Sequence, residues 1–300
     1  MIYTVTLNPA IDYVVGVKDI KTGTVNRTSE EQVFFGGKGI NVSRVLSELD
    51  VKSVATGFIA GFTGKALKEE MQNLGIETLF TELPDGFSRI NIKIKSDEET
   101  EINGIGPVVS EEYLNKFLRS LSVLKNGDIL VLAGSVPKSV PDNIYEIIME
   151  KFSGKGIKFV VDASGELLKK VLPLKPYLIK PNHIELGEIF GVDINTPDEA
   201  EIYARKLQDM GAENVIVSMA EKGALLLDKN GERHFCEALE GEVVNSVGAG
   251  DSMLAGFLAG IERGENSDYA LKLGTASGGA TAFSSDLAKK EMIEKLFEKF

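Results

Sequence analysis

The chain has 300 residues, 43% of them apolar and 26% charged, which is enough apolar material for a sizeable core and excludes disorder as its main state. Lysine and arginine total 33 against 45 aspartates and glutamates, and the net charge of −12 repels nucleic acid and anionic membranes, so an anionic substrate must be held by local donors or a divalent cation. Two histidines and the single Cys236 leave no basis for a Ser-His-Asp or Cys-His machine, a histidine metal cage or an internal disulfide, and no apolar run approaches the ~20 residues of a membrane helix.

The apolar, β-branched start, residues 1–7, reads as a first strand and not as a leader, which together with the lone cysteine points to a cytoplasmic protein. Asn8 and Asp12 follow at its end, where open α/β sheets gather ligands. Asp12 has two readings, an acceptor for sugar hydroxyls or a plain turn aspartate. From residue 53 onward, strand-like runs at 53–59, 128–132, 157–161, 177–179 and 214–217 alternate with helical stretches at 64–74, 110–124, 141–152, 182–190 and 197–210. That alternation predicts a doubly wound, mostly parallel sheet flanked by helices.

Residues 13–35 and 89–103 break the pattern. In the second, Ile90, Ile92 and Ile94 alternate with Asn91, Lys93 and Lys95, a period that suits a small sheet with one polar face. Both segments are read as insertions forming a small β-sheet lid on a single unit spanning 1–300. Arg89 opens the second run and is either a bidentate phosphate clamp or a solvated strand arginine.

Gly36-Gly37-Lys38-Gly39-Ile40-Asn41 follows a strand-like run and opens a helix. Its glycines permit close approach to the backbone, Lys38 offers a mobile cation and Asn41 can bond sugar hydroxyls; the plainer reading is a glycine turn with a solvated lysine. It is no Walker loop, since Gln32 stands where the first glycine belongs, as Ile59 does for Gly64-Lys65; nor does any Gly-x-Gly-x-x-Gly support a dinucleotide site. Further on, Lys180 precedes Asn182 and Glu185, whose spacing serves either a water-bound metal near polyphosphate or a helix capping box. Ser218 to Gly223 is another glycine-containing turn at a strand end. His183 reads as a helix-start residue.

Val247-Gly248-Ala249-Gly250-Asp251 precedes a helical stretch at 253–262. Converging amides and a helix N-terminus make this turn an anion site. Asp251 beside it either caps the helix or faces an incoming hydroxyl as general base. The helix terminus predicts a low pKa for this carboxyl. Ala255, Gly256, Ala259 and Gly260 read as small residues for close helix packing.

Together these segments resemble the ribokinase-like, or phosphofructokinase-B, family of carbohydrate kinases. Gly36 to Val42 is similar to its first signature and Val247 to Asp251 to its second, and the likeness runs from Asn8 to Phe283. The resemblance implies the ribokinase-like α/β fold, with ATP-dependent phosphoryl transfer to a phosphosugar, fructose 1-phosphate first and tagatose 6-phosphate or fructose 6-phosphate as alternatives. It implies Asp251 as base and the amides of Gly248, Ala249 and Gly250 as the anion hole. Asp12, Gly37, Lys38 and Asn41 would hold the sugar, with Lys38, Arg89, Ser135 and Lys138 near its phosphate. Lys180, Asn182, Glu185, Ser218 and Gly223 would serve ATP and Mg2+, with Glu185 acting through water. The lid would pair two subunits into a homodimer. Asn245-Ser246 replaces the Asp-Thr of many ribokinase relatives, which leaves a monovalent-cation site open. The non-enzyme alternative is a sugar-phosphate sensor that kept the pocket without turnover.

Overall fold

The computed structural model describes residues 1–300. The chain opens with β1 (Ile2–Thr6), crosses into β2 (Ala10–Gly16) and β3 (Glu30–Gly36), then forms α1 (Lys38–Glu48), β4 (Ser53–Ala60), α2 (Gly61–Asn73) and β5 (Glu77–Leu83). A second excursion, β6 (Arg89–Lys95) and β7 (Thr100–Asn103), precedes α3 (Glu111–Ser120), β8 (Ile129–Ala133), α4 (Ile144–Lys151) and β9 (Lys158–Asp162). Next come α5 (Gly165–Val171), β10 (Leu178–Ile179), α6 (His183–Phe190), α7 (Pro197–Asp209) and β11 (Asn214–Ser218). The hairpin β12 (Ala224–Leu227) and β13 (Arg233–Cys236) then leads to α8 (Ala249–Glu262), α9 (Ser267–Ala282) and α10 (Lys290–Phe297). No helix is long and apolar enough to cross a membrane.

The main sheet runs β13-β12-β11-β10-β9-β8-β1-β4-β5, parallel from β11 to β5, with β12 and β13 antiparallel at one edge. Its central strands are apolar on both faces, as burial under two helical layers requires. In β8, Leu130 and Leu132 enter a core shared with α3 to α7, whereas Ile129, Val131 and Ala133 face α8, α9 and α10. Each strand is therefore pinned in register, because a one-residue slip would exchange its two faces. Gly256 and Gly260 let α8 lie against α9: a Cβ on Gly256 would stand 2.4 Å from Ser277 Oγ, and one on Gly260 2.7 Å from the Ala270 Cα. Capping boxes start α6 (Asn182 with Glu185) and α7 (Thr196 with Glu199), each stabilising by about 1 kcal/mol.

The small sheet has the order β3-β2-β6-β7. Its strands begin earlier than the alternation alone suggested, so Asp12 lies inside β2 and not in a turn before the lid. The sheet's two faces are also used in the reverse of the ordinary sense. The row Val33–Tyr13–Ile92–Ile102 lies on one face, with Val33 54% and Ile102 56% exposed. The opposite face carries Asp12, Asn91 and Arg89, and Asn91 is buried. The polar face turns inward because it lines the site; the apolar one faces out.

β5 and the β12–β13 hairpin were not anticipated. β5 is an edge strand with a mixed pattern, Glu77 to Leu83, and the hairpin follows an ordinary-looking turn.

Candidate active site

The chain lays β4 and β5 to one side of β1, then returns to lay β8, β9, β10 and β11 on the other. The crevice at the C-terminal ends of β1 and β8 is thus a topological switch point, where α/β sheets bind ligands. α1 starts there, so tightly against β1 that two signature glycines have a packing reason. A Cβ on Gly37 (φ 126°) would stand 2.6 Å from Thr6 Cγ2, and one on Gly39 2.6 Å from Thr6 Oγ1. The Ile40 amide donates to that hydroxyl at 3.0 Å. Only Gly36 leaves its space toward the site, where a Cβ would meet Asp12 Oδ2 at 3.1 Å.

The start of α8 arrives at the same place. Asn41 Nδ2 donates to Asp251 Oδ2 at 2.8 Å, joining residues 210 apart in sequence and bringing the two signature turns into one site. Helix α8 begins at Ala249, earlier than the periodicity suggested, so Asp251 is in its first turn and only 6% exposed. Gly248 is left-handed (φ 80°), and Leu287 Cδ2 would lie 2.6 Å from a Cβ there, so glycine is required twice over. The Ala249 amide donates within the turn to the Ser246 carbonyl at 3.2 Å, whereas those of Gly248, Gly250 and Asp251 have no intramolecular acceptor. Ala249 therefore drops out of the expected set, and Asp251 joins Gly248 and Gly250 as a free donor.

Beneath the turn lies a carboxylate the sequence reading missed. Asp162, at the end of β9 and 1% exposed, receives Lys38 Nζ on Oδ1 at 3.0 Å and faces Lys180 Nζ from Oδ2 at 3.4 Å. Lys38 is thus not a mobile cation but half of an ion pair. Lys180, itself buried, also reaches the anion turn, since a Cβ on Gly250 would stand 3.2 Å from its Nζ. The available signal for Asp162 was a charged residue directly after the apolar run 157–161, the position from which parallel strands present functional groups.

The electrostatics follow from burial and this charge array. Burial opposes the ionised form of Asp162, but Lys180 and Lys38 outweigh it and hold the carboxyl below its ordinary value. For Lys38, burial works against the charge, and Asp162, Asp251 and Glu185 together raise its pKa nonetheless. Asp251 goes the other way: burial, then the negative charge of Asp162, push it up to about 7 against the opposing effects of Asn41, Lys38 and Lys180. The direction is opposite to the low value expected from the helix start, with burial as its largest cause.

The remaining candidates divide. Asp12 Oδ1 accepts from Asn91 Nδ2 at 2.7 Å, and Arg89 Nε donates to the Asn8 carbonyl at 3.1 Å, which leaves the terminal guanidinium nitrogens uncommitted. Burial lowers the pKa of Arg89, with Asp12 opposing. Ser135 and Lys138 lie exposed in the loop after β8, with Gly134 at its root against Lys38. Asn182 and Glu185 do form the capping box, so Asn182 Oδ1 and Glu185 Oε2 are committed to backbone amides. Asn182 also bridges Ser218 at the end of β11. Gly223 has a purely local reason, since a Cβ there would stand 2.1 Å from the Cys236 carbonyl oxygen. Asn245 uses its amide to bond the Ser285 carbonyl at 3.3 Å and to accept from the Val247 amide at 3.0 Å. Away from the site, Asp228, Glu232 and His234 offer ligand atoms within 4.8 Å of one another, but Asp228 already accepts the Asn230 and Glu232 amides that close its hairpin.

A switch-point cleft with a buried carboxylate beside free helix-terminal amides and two lysines is suited to moving an anionic group onto a hydroxyl. The chain belongs to the pfkB family of carbohydrate kinases, whose model matches residues 3–292, and its fold is the ribokinase-like α/β fold. It is 50% identical to the 1-phosphofructokinase of Bacillus subtilis over 99% of this chain and 97% of that protein. It is 38% identical to the D-tagatose-1-phosphate kinase of Bacillus licheniformis over 98% and 97% respectively. Phosphofructokinase-2 from Escherichia coli, solved in complex with fructose-6-phosphate, superposes with a TM-score of 0.90 at 25% identity, covering 99% of this chain and 98% of that one.

Proposed function

We propose that this chain is a 1-phosphofructokinase, transferring the γ-phosphoryl group of ATP to the free primary hydroxyl of fructose 1-phosphate to give fructose 1,6-bisphosphate and ADP. The observation that carries the reading is the meeting of Asp251, poised near neutrality and held by Asn41, with the free amides at the start of α8. Names of the relatives at 50% and 38% identity support the class of acceptor, a ketohexose 1-phosphate.

In this reading the acceptor hydroxyl sits against Asp251, which takes its proton as the oxygen bonds to the γ-phosphorus and the bond to ADP breaks. The amides of Gly248, Gly250 and Asp251 receive the charge on the equatorial oxygens. Lys180 supplies positive charge on the donor side and Lys38 beside the sugar and its phosphate, and Asp162 keeps both ammonium groups in place. Asp12, oriented by Asn91, bonds sugar hydroxyls beside Gly36 and Gly37, while Arg89, Ser135 and Lys138 take the substrate phosphate. Ser218 and the turn to Gly223 border the nucleotide.

Magnesium fits this donor set. Glu185 keeps one carboxylate oxygen outside its capping box, and its charge is felt at Lys38, so a hard oxygen ligand is available near the lysines. Bound through Glu185 and its water, the ion would neutralise charge on the phosphates.

Residues 1–300 act as one catalytic unit, with the small sheet as its lid. Its outward apolar row, Val33, Tyr13, Ile92 and Ile102, supports pairing of two copies across the lid. ATP and phosphosugar as substrates support a cytoplasmic location. The second reading, a tagatose-phosphate kinase, is supported by the names of relatives at 38% and 32% identity. Equal concentrations of fructose 1-phosphate, tagatose 1-phosphate, fructose 6-phosphate and tagatose 6-phosphate, competed in one assay, separate these. The highest kcat/KM is expected for fructose 1-phosphate; preference for another sugar would reject the assignment, and binding without product would indicate a sensor.

A further inference from the structure

Ser252 directly follows Asp251 and is wholly buried, as is Thr281 near the end of α9. Their hydroxyl oxygens are 2.7 Å apart. Thr281 Oγ1 accepts the Ala288 amide at 3.0 Å, and Ser252 Oγ donates to the Gly248 carbonyl at 2.9 Å. Each hydroxyl carries a single proton, so the direction of the middle bond is fixed: Thr281 donates to Ser252. The result is a one-way chain from the Ala288 amide through Thr281 and Ser252 to the Gly248 carbonyl.

That carbonyl also accepts the Ser252 backbone amide at 2.8 Å. Two donors converging on its oxygen, with the Ala249 amide on the Ser246 carbonyl, hold the peptide plane between Gly248 and Ala249 at a left-handed residue. The free amides of Gly248 and Gly250 belong to the peptides directly before and after that plane, so its orientation bears on where they point. Leu287, next to Ala288, closes the other side of Gly248. The chain therefore ties the anion turn to the loop after α9 and leaves neither hydroxyl free to rotate.

We propose that Ser252 and Thr281 are positioning residues that aim the anion-binding amides at the group being transferred. This deepens the kinase reading and rests on it. Neither side chain touches substrate; they act through Gly248.

The test compares Thr281→Val and Ser252→Ala, which break the chain, with Thr281→Ser, which keeps the hydroxyl. In the two broken variants kcat is expected to fall about 10- to 100-fold, as for other supporting hydrogen bonds around a site, with KM for ATP and fructose 1-phosphate within about threefold. Binding of ADP with aluminium fluoride, a mimic of the group in flight, is expected to weaken by a similar factor while ADP alone binds as before. Thr281→Ser is expected to stay within about threefold of the wild type in both measurements. Broken variants that keep full kcat and full affinity for the mimic, or a Thr281→Ser as impaired as Thr281→Val, would overturn the assignment. Should Thr281→Val fail to fold, Ser252→Ala decides by the same two readings. Turnover by the wild type tests the kinase reading itself, whereas the variant-to-wild-type ratios test the chain.

Discussion

Replacing Asp251 with asparagine should abolish most activity and at the same time stabilise the fold, more so as pH rises. The side chain is buried, and its pKa is raised from 3.8 to about 7 by desolvation and by Asp162, which corresponds to on the order of 4 kcal/mol in favour of the neutral acid. The sign follows directly. Between 3.8 and about 7 the folded chain holds a proton that the unfolded chain has lost, so this group's contribution is fully present below pH 3.8 and is lost as pH climbs through about 7. The substituted side chain, a carboxamide, is neutral at every pH and still offers an oxygen to Asn41 Nδ2. The melting temperatures of wild type and Asp251→Asn should therefore nearly coincide at pH 4, and by pH 8.5 the variant should lead by roughly 5 °C, given the unfolding entropy of a chain this long. Over the same range kcat should be lower by about 10²- to 10⁴-fold, the usual contribution of a general base. Thermal scans at the two pH values and a coupled ADP-release assay measure both effects. A melting gap that is flat or reversed with pH, or near-normal turnover, would refute the argument that this carboxyl is kept near neutrality for use as a base.

Asp162→Asn should shift the acidic limb of the kcat/KM profile to lower pH, because the negative charge that raises Asp251 is gone; an unmoved limb would separate the two carboxyls. The same variant leaves Lys180 buried without its partner and should lower stability by about 3 kcal/mol, read by denaturant titration. Asn41→Ala removes a bond that lowers the Asp251 pKa, so its limb should move the opposite way, to higher pH, with a fall in kcat. Arg89→Met should raise KM for the phosphosugar by about 10-fold or more while kcat changes little, as expected for loss of a charged contact equal in ground and transition states; an unchanged KM would remove Arg89 from the phosphate site.

Much of the frame was legible because it depends on local pattern. Strands such as 53–59 and 214–217 are apolar on both faces, and that, with helices between them, is sufficient for a parallel sheet. The alternation of Ile90, Ile92 and Ile94 identified the small sheet, yet not which face turns inward, since period alone does not say what a polar face is polar toward. The two signature turns were visible, but not the bond that joins them: the resemblance implies Asn41 as a partner for the sugar, and its amide donates to Asp251. What did not show was long-range: Asp162 acts through lysines from two other segments, and the pKa of Asp251 depends on burial that no local pattern carries. Gly37, Gly39 and Gly223 were read toward ligand, whereas close backbone packing already demands them.

The most direct test is a crystal structure of the chain with fructose 1-phosphate and a non-hydrolysable ATP analogue. The account predicts the free primary hydroxyl within about 3 Å of an Asp251 oxygen and the terminal phosphate on the amides of Gly248, Gly250 and Asp251. An acceptor hydroxyl bound elsewhere, with Asp251 engaged only by Asn41 and its own helix, would contradict it.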